Sequence, residues 1–112
     1  TSQEMLENEL LISKPIEEVI AHYARNAKAA GLSGVVCSPL EAAIVKEACG
    51  SNFLAVTPGI RFADGDSNDQ VRITTPADAR RRGADFIVVG RPITKAEDPV
   101  VAYQRCVADF LG

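Results

Sequence analysis

The apolar positions of this chain follow two patterns, which predict two kinds of secondary structure. Unbroken apolar runs are typical of parallel strands covered on both faces, and they occupy residues 34–38, 53–57 and 86–89. Apolar residues that recur every three to four positions predict helices, and they occupy residues 3–11, 13–31, 38–50, 75–83 and 98–110. Because helices alternate with strands, we expect an α/β fold whose parallel strands are joined by right-handed crossovers.

The helical spacing also predicts which residues of each helix face the core. In the second helix this face consists of Ile16, Val19, Ile20, Tyr23, Ala27 and Ala30. In the last helix it consists of Val100, Tyr103, Val107 and Phe110. His22 lies beside the first of these faces, so we expect a solvated histidine there rather than a catalytic one.

Helix starts are marked by a small polar residue followed by proline, the usual sequence of a capped first turn. This signal follows a predicted strand or loop three times, at Ser38-Pro39, Thr75-Pro76 and Asp98-Pro99. We also expect Ser13 to cap the second helix. The repeat of strand, cap and helix is typical of a (β/α)8 barrel, but a whole barrel needs about 250 residues. The chain has 112 residues, so it forms a single domain, residues 1–112, that supplies at most half of a barrel.

The strand at residues 86–89 runs directly into Gly90, Arg91 and Pro92. Glycine lets a ligand approach the backbone, and arginine offers a bidentate fork for an anion. In α/β barrels the loops after the last strands commonly hold phosphate. We therefore interpret this stretch as a phosphate site. In the alternative, Gly90 only turns the chain and Arg91 pairs with Glu97 or Asp98.

The composition excludes several classes of function. A net charge of −3 and an isoelectric point near 5.1 do not favour binding to nucleic acid or to an anionic membrane. The three cysteines, Cys37, Cys49 and Cys106, lack the spacing of a zinc site and are odd in number. We therefore expect reduced thiols, no metal and a cytoplasmic protein.

The connection between Pro58 and Thr75 is the longest in the chain, and its acidic residues superficially suggest calcium. A calcium loop of the EF-hand type that began at Asp64 would require glycine and glutamate where Asp69 and Thr75 stand. We therefore expect no metal there. Residues 62–68 are interpreted as a lid that becomes ordered over a bound nucleotide, with a plain surface loop as the alternative.

Four motifs, in this order, resemble the carboxyl-terminal half of bacterial orotidine 5′-phosphate decarboxylase. They are Gly-Val-Val-Cys-Ser at 34–38, Thr-Pro-Gly-Ile-Arg at 57–61, Asn-Asp-Gln at 68–70 and Val-Gly-Arg-Pro-Ile-Thr at 89–94. The resemblance implies strands six to eight of a (β/α)8 barrel with their flanking helices. It also implies a homodimeric carboxy-lyase that needs no cofactor and converts orotidine 5′-monophosphate into uridine 5′-monophosphate and CO2 in pyrimidine biosynthesis.

The resemblance carries seven substrate-binding residues onto this chain: Thr1, Ser2, Pro58, Arg61, Gln70, Gly90 and Arg91. It assigns Arg61, Gln70, Gly90 and Arg91 to the substrate phosphate. It also assigns Gln70 to the pyrimidine, so that this residue bridges the two parts of the substrate. Pro58 lines the pyrimidine pocket, and the Thr1-Ser2 pair contacts the edge of the pyrimidine. From spacing alone, Ser2 is more simply a helix cap.

The family's catalytic motif, Asp-x-Lys-x-x-Asp with a further lysine, has no match in this sequence. We therefore expect no catalytic residue in residues 1–112 and no activity of this chain alone. The missing amino-terminal half is the expected partner, because strand edges and the inward-facing residues would otherwise stay uncovered. Those residues are expected to be Val35, Val36, Leu54, Val56, Ile87 and Val89. The alternatives are a sugar-phosphate decarboxylase of the same superfamily and a non-catalytic phosphate-binding half-barrel.

Overall fold

A computed structural model describes residues 1–62 and 74–112. Gln70 and all of the expected lid except Phe62 lie outside these residues. Three strands form a parallel sheet in the order β1-β2-β3, namely β1 (Gly34–Val36), β2 (Leu54–Thr57) and β3 (Phe86–Ile87). The described helices are α1 (Gln3–Asn8), α2 (Ile16–Ala29), α3 (Ala42–Cys49), α4 (Pro76–Arg81), α5 (Arg91–Thr94) and α6 (Pro99–Leu111), and a 3-10 turn (Pro39–Glu41) precedes α3. The expected α/β fold with a parallel sheet is confirmed.

Within the residues that the structure describes, the helices cover only one face of the sheet. Val35 and Cys37 pack against a cluster formed by α2 and α3, while Ile87 and Val89 pack against a second cluster that includes residues of α4 and α6. The opposite, open face carries Val36, Leu54, Val56, Phe86 and Val88, of which Val36, Phe86 and Val88 are 71%, 57% and 51% exposed. Within the described residues the strands are thus covered on one face, as expected for a half-barrel without its partner half, but the inward assignment of individual residues is partly wrong. Val35, Ile87 and Val89 face the helices instead, because successive side chains of a strand alternate between faces.

The buried face of α2 is centred one residue beyond the predicted position. Ala24 is buried against Val45, Cys49 and Phe53, whereas Tyr23 is 60% exposed. A small residue fits there because α2 packs closely against α3. His22 is exposed, as expected.

The last helix also departs from its predicted face. Phe110 packs against the cluster of Ile60, Ala79 and Ala84, as expected, and Cys106 is buried. The other predicted members are exposed, namely Val100, Tyr103 and Val107. Within the described residues, the predicted apolar stripe of α6 is therefore largely exposed to solvent.

Most predicted helix caps are confirmed. Asp98 accepts hydrogen bonds from the backbone N–H groups of Val100 and Val101, and Thr75 accepts one from Asp78 N–H at 3.1 Å. Ser38 N–H donates to the Glu41 carboxylate at 3.3 Å. The prediction that Ser13 caps α2 is wrong, because Pro15 occupies the cap position.

The start of α2 is stabilised by a residue far from it in sequence. Gln3 Oε1 accepts a hydrogen bond from Ile16 N–H at 2.6 Å, and Gln3 Nε2 donates to the carbonyl oxygen of Lys14. Pro15 occupies the cap position and provides no side-chain hydrogen bond. A side chain of α1 therefore replaces the local cap.

A lysine–aspartate pair joins α3 to the amino-terminal ends of two strands. Lys46 Nζ donates to the Asp85 carboxylate and to the carbonyl oxygens of Ser51 and Phe53, the latter at 2.6 Å. The same carboxylate oxygen accepts a hydrogen bond from Ala55 N–H at 2.8 Å. Burial alone would raise the pKa of Asp85, but the bonds from Lys46 and Ala55 outweigh it and lower that pKa. The pair therefore stabilises the sheet in its ionised form.

Strands β1 and β2 approach each other closely at Gly34. A Cβ atom at this position would lie 2.3 Å from the carbonyl oxygen of Leu54. Only glycine fits at so short a distance. The pairing of Gly34 with Leu54 sets the register of the two strands.

Candidate functional site

Two of the predicted substrate-binding segments follow adjacent parallel strands. Pro58 comes directly after β2, and Gly90 comes shortly after β3. Val88 N–H donates to the carbonyl oxygen of Thr57 at 3.0 Å, which extends the pairing beyond β3. Because parallel strands end at the same edge of a sheet, Pro58, Gly90 and Arg91 emerge at one carboxyl edge. This is the edge at which α/β proteins bind their ligands.

The backbone at Gly90 is open to an incoming ligand. Gly90 is exposed, and a Cβ atom there would meet nothing within 4 Å. Its carbonyl oxygen accepts hydrogen bonds from Ile93 N–H and Thr94 N–H, so the short helix α5 starts immediately at Arg91. An atom of a bound ligand could therefore approach the Gly90 backbone without displacing a side chain.

Arg91 is exposed at the start of α5. Among the described residues, neither Glu97 nor Asp98 forms an ion pair with it. Asp98 instead caps α6, because one of its carboxylate oxygens accepts hydrogen bonds from two backbone N–H groups at the start of that helix. The alternative in which Arg91 merely pairs with one of these acids is therefore wrong, and the Arg91 guanidinium has no acidic partner among the described residues.

Arg61 is carried by a short segment that is fixed on both sides. Gly59 has a φ of +77°, a conformation that favours glycine, and it turns the chain so that Ile60 is buried at 2% exposure. Arg61 N–H donates to the carbonyl oxygen of Thr74 at 3.0 Å. On the other side, Phe62 lies beneath the guanidinium of Arg105, whose central carbon is 3.7 Å from the ring centroid.

Thr1 and Ser2 form the start of α1 and belong to none of the three described strands. Ser2 Oγ accepts a hydrogen bond from Met5 N–H at 3.2 Å, so Ser2 is a helix cap, as its spacing indicates. Within the described residues no hydrogen bond joins either residue to Pro58, Gly90 or Arg91. The contact of Thr1 and Ser2 with the pyrimidine stays a prediction.

The charged side chains near the sheet form structural contacts, and the thiol near the sheet is partly buried. Lys46 and Asp85 lie at the amino-terminal ends of the strands, opposite the candidate site. Cys37 follows β1, and burial, with a smaller effect of the Glu41 charge, raises the pKa of its thiol. The cysteine is therefore protonated at neutral pH and a poor nucleophile.

The described part of the chain shows neither a metal-binding cluster nor a membrane-spanning helix. No group of three or more His, Cys, Asp or Glu residues there could hold a metal ion. No described helix is long and apolar enough to cross a membrane.

Sequence reasoning missed two contacts that shape the region. Arg105 stacks on Phe62, and Asp109 accepts a hydrogen bond from Ala77 N–H at 3.1 Å near the start of α4. Both contacts join α6 to residues distant in sequence, and no local motif marks them. Arg80 of α4 likewise donates a hydrogen bond to the carbonyl oxygen of Phe110 at the end of α6.

A sequence model of the orotidine 5′-phosphate decarboxylase / HUMPS family matches residues 1–106. The chain belongs to this family. It is 56% identical over all 112 residues to the orotidine 5′-phosphate decarboxylase of Geobacillus thermodenitrificans and 57% identical to that of Bacillus caldolyticus. It covers 47% and 46% of those two proteins. The chain thus spans about half the length of the curated decarboxylases it matches.

Two solved structures have the same fold as this chain. The orotidine 5′-phosphate decarboxylase of Lactobacillus acidophilus superposes with a TM-score of 0.82 at 41% identity over 99% of this chain and 45% of its own. An uncharacterized conserved protein of Geobacillus kaustophilus gives a TM-score of 0.80 at 45% identity, over 98% of this chain and 44% of its own.

Proposed function

We propose that this chain is the carboxyl-terminal half of an orotidine 5′-phosphate decarboxylase and that it holds the phosphate and pyrimidine of the substrate. Residues 1–112 form one half-barrel, in which β1, β2 and β3 correspond to strands six, seven and eight. The observation that carries the proposal is the exposed Gly90-Arg91 pair at the carboxyl edge, beside Pro58 and without an acidic partner for Arg91 in the described residues.

The substrate phosphate binds to Arg91 and to the backbone of Gly90, with Arg61 and Gln70 as further ligands. A guanidinium binds two phosphate oxygens at once, so Arg91 fixes the position and the orientation of the anion. The absence of a side chain at Gly90 leaves room for the phosphate next to the backbone. The assignment of Arg61 and Gln70 rests on the family motifs that contain them.

The pyrimidine lies against Pro58, and Thr1 and Ser2 meet its polar edge. Pro58 is exposed at the end of β2, on the same edge as Gly90. Gln70 joins the two halves of the substrate by reaching both phosphate and base. The curated relatives, named orotidine 5′-phosphate decarboxylases at 54–57% identity, support a nucleotide over a sugar phosphate as the substrate.

The chemistry of CO2 loss belongs to residues outside this chain. The four lysines are Lys14, Lys28, Lys46 and Lys95, and none has an aspartate two residues before it. Lys46 is held by Asp85 and by two backbone carbonyls at the opposite end of the sheet. This chain therefore contributes binding energy from remote parts of the substrate, which orders the site around the reacting carbon. The reaction needs no metal or organic cofactor.

The remaining half of the barrel covers the open face of the sheet. That face carries Val36, Phe86 and Val88, each more than half exposed. Apolar burial stabilises by about 25 cal/mol per Å², so a surface of this kind favours association. Because the chain spans about half of its relatives, their amino-terminal half is the natural occupant. The family resemblance further supports a homodimer in the cytoplasm.

The test is Arg91→Ala in the full-length protein, with orotidine 5′-monophosphate as substrate. Loss of a charged hydrogen-bonding group costs about 1.5–3 kcal/mol, so kcat/KM falls by about 10- to 150-fold. We expect KM to rise and kcat to fall together. Turnover of orotidine, which lacks the phosphate, stays at the wild-type value.

Arg82→Ala is the matched control, because Arg82 is an exposed arginine at the end of α4, away from the carboxyl edge. It should leave both substrates unaffected. Unchanged kinetics of Arg91→Ala with the phosphorylated substrate would remove Arg91 from the site.

A further inference from the structure

Arg105 of α6 is in direct contact with the segment that carries Arg61. Its guanidinium carbon lies 3.7 Å above the centre of the Phe62 ring, well within the range of a cation–π contact. Phe62 is the residue immediately after Arg61. Arg105 itself lies in the middle of α6, a helix that Asp109 and Arg80 attach to α4.

The backbone of Arg61 is thereby restrained from three directions. Ile60 is buried in the core beside Ala79 and Ala84, which fixes the preceding residue. The Arg61 N–H bonds to the carbonyl oxygen of Thr74, which fixes the residue itself. The Arg105–Phe62 contact is the third restraint, and of the three it is the one made between side chains at the surface.

We propose that Arg105 is a positioning residue for Arg61. By holding the Phe62 ring, it fixes the backbone beside Arg61, so that the Arg61 side chain meets the substrate phosphate in one orientation. The inference rests on the proposed function, because it takes Arg61 as a phosphate ligand. Arg105 acts on the substrate indirectly, through its contact with Phe62.

The surroundings of Arg105 make the inference testable by substitution. A hollow of about 410 Å³ lies beside the contact, lined by Phe62, Thr75, Arg105, Ala108 and Asp109. Since Arg105 is exposed and borders this open space, its truncation leaves no cavity inside the core. We therefore expect Arg105→Ala to fold.

The experiment measures kcat/KM of the full-length protein with orotidine 5′-monophosphate and with orotidine. An exposed cation–π contact is worth about 0.5–1 kcal/mol, so Arg105→Ala should lower kcat/KM for the phosphorylated substrate by about two- to fivefold. Phe62→Leu removes the ring and should have the same effect. Arg105→Lys keeps a cation over the ring and should restore most of the loss. With orotidine, all three variants should match the wild type.

A double-mutant comparison identifies the residue through which Arg105 acts. In an Arg61→Ala background, Arg105→Ala should cause no further loss, because the side chain it positions is gone. Equal losses with both substrates, an additive loss in that background, or unchanged kinetics of Arg105→Ala would overturn the inference. Arg61→Ala with wild-type kinetics would instead refute the phosphate assignment of Arg61 and the inference with it.

Discussion

Replacing Lys46 by methionine should destabilise the protein more than any other exchange of a lysine in this chain. The substitution keeps the length and apolar stem of the side chain but removes the ammonium. Three acceptors then lose their donor: the Asp85 carboxylate and the carbonyl oxygens of Ser51 and Phe53. Within the described residues, the Asp85 carboxylate then keeps only the hydrogen bond from Ala55 N–H.

The magnitude follows from the partial burial of the pair. The Lys46 and Asp85 side chains are 18% and 31% exposed. Exposed ion pairs contribute about 0–1 kcal/mol, whereas removal of one partner from a buried pair costs about 3–5 kcal/mol. An intermediate loss of about 2–3 kcal/mol is therefore expected for Lys46→Met. In a protein of about 150–250 residues, this lowers Tm by roughly 4–12 °C.

The assay is denaturant and thermal unfolding of the full-length protein, with Lys14→Met as the matched control. Lys14 is exposed, and its side chain forms no hydrogen bond or ion pair within the described residues. The control should change stability by less than about 0.5 kcal/mol. A Lys46→Met variant as stable as the control would refute the structural role of the pair.

The pH dependence provides an independent check. Because folding lowers the pKa of Asp85, its contribution is fully present above the unfolded value of about 3.9 and is lost as the pH falls through the folded value. The difference in stability between wild type and Lys46→Met should therefore shrink as the pH is lowered below about 4. A difference that stays constant through this range would show that Asp85 is not the partner.

Two further substitutions test the sheet and the last helix. Gly34→Ala should cost about 1–3 kcal/mol in unfolding experiments, because its Cβ would lie 2.3 Å from the Leu54 carbonyl oxygen; Ser33→Ala, an exposed neighbour, is the control, and equal stability of the two would contradict the close approach. Asp98→Ala should cost about 1 kcal/mol through loss of the cap on α6, and Asp98→Asn should restore most of it; equal losses in both variants would argue against a capping role.

The features that the sequence predicted correctly depend on residues close together in the chain. Thr75 and Asp98 each bond within three positions of themselves, so a short motif was enough to identify the caps. The parallel sheet followed from the alternation of strands with helices. In the structure Pro58 and Gly90 emerge at one edge of this sheet, because adjacent parallel strands end together.

The errors concern contacts between elements. A helical stripe shows that one face is apolar, but the neighbouring element determines which residue is buried, and α3 selects Ala24 rather than Tyr23. The cap of α2 comes from Gln3, thirteen positions away. Lys46 and Asp85 are 39 positions apart, and neither belongs to a motif. Such pairs become visible only when the chain is folded.

Decarboxylation of orotidine 5′-monophosphate by separated halves tests the central claim most directly. Residues 1–112 are measured alone, and then after mixing with a separately produced amino-terminal half of the protein. We expect no turnover by residues 1–112 alone, because positioning without electrostatic stabilisation of the reacting carbon leaves most of the barrier in place. Mixing should restore turnover, and Arg91→Ala in residues 1–112 should reduce the restored rate. Measurable turnover by purified residues 1–112 alone would contradict the account.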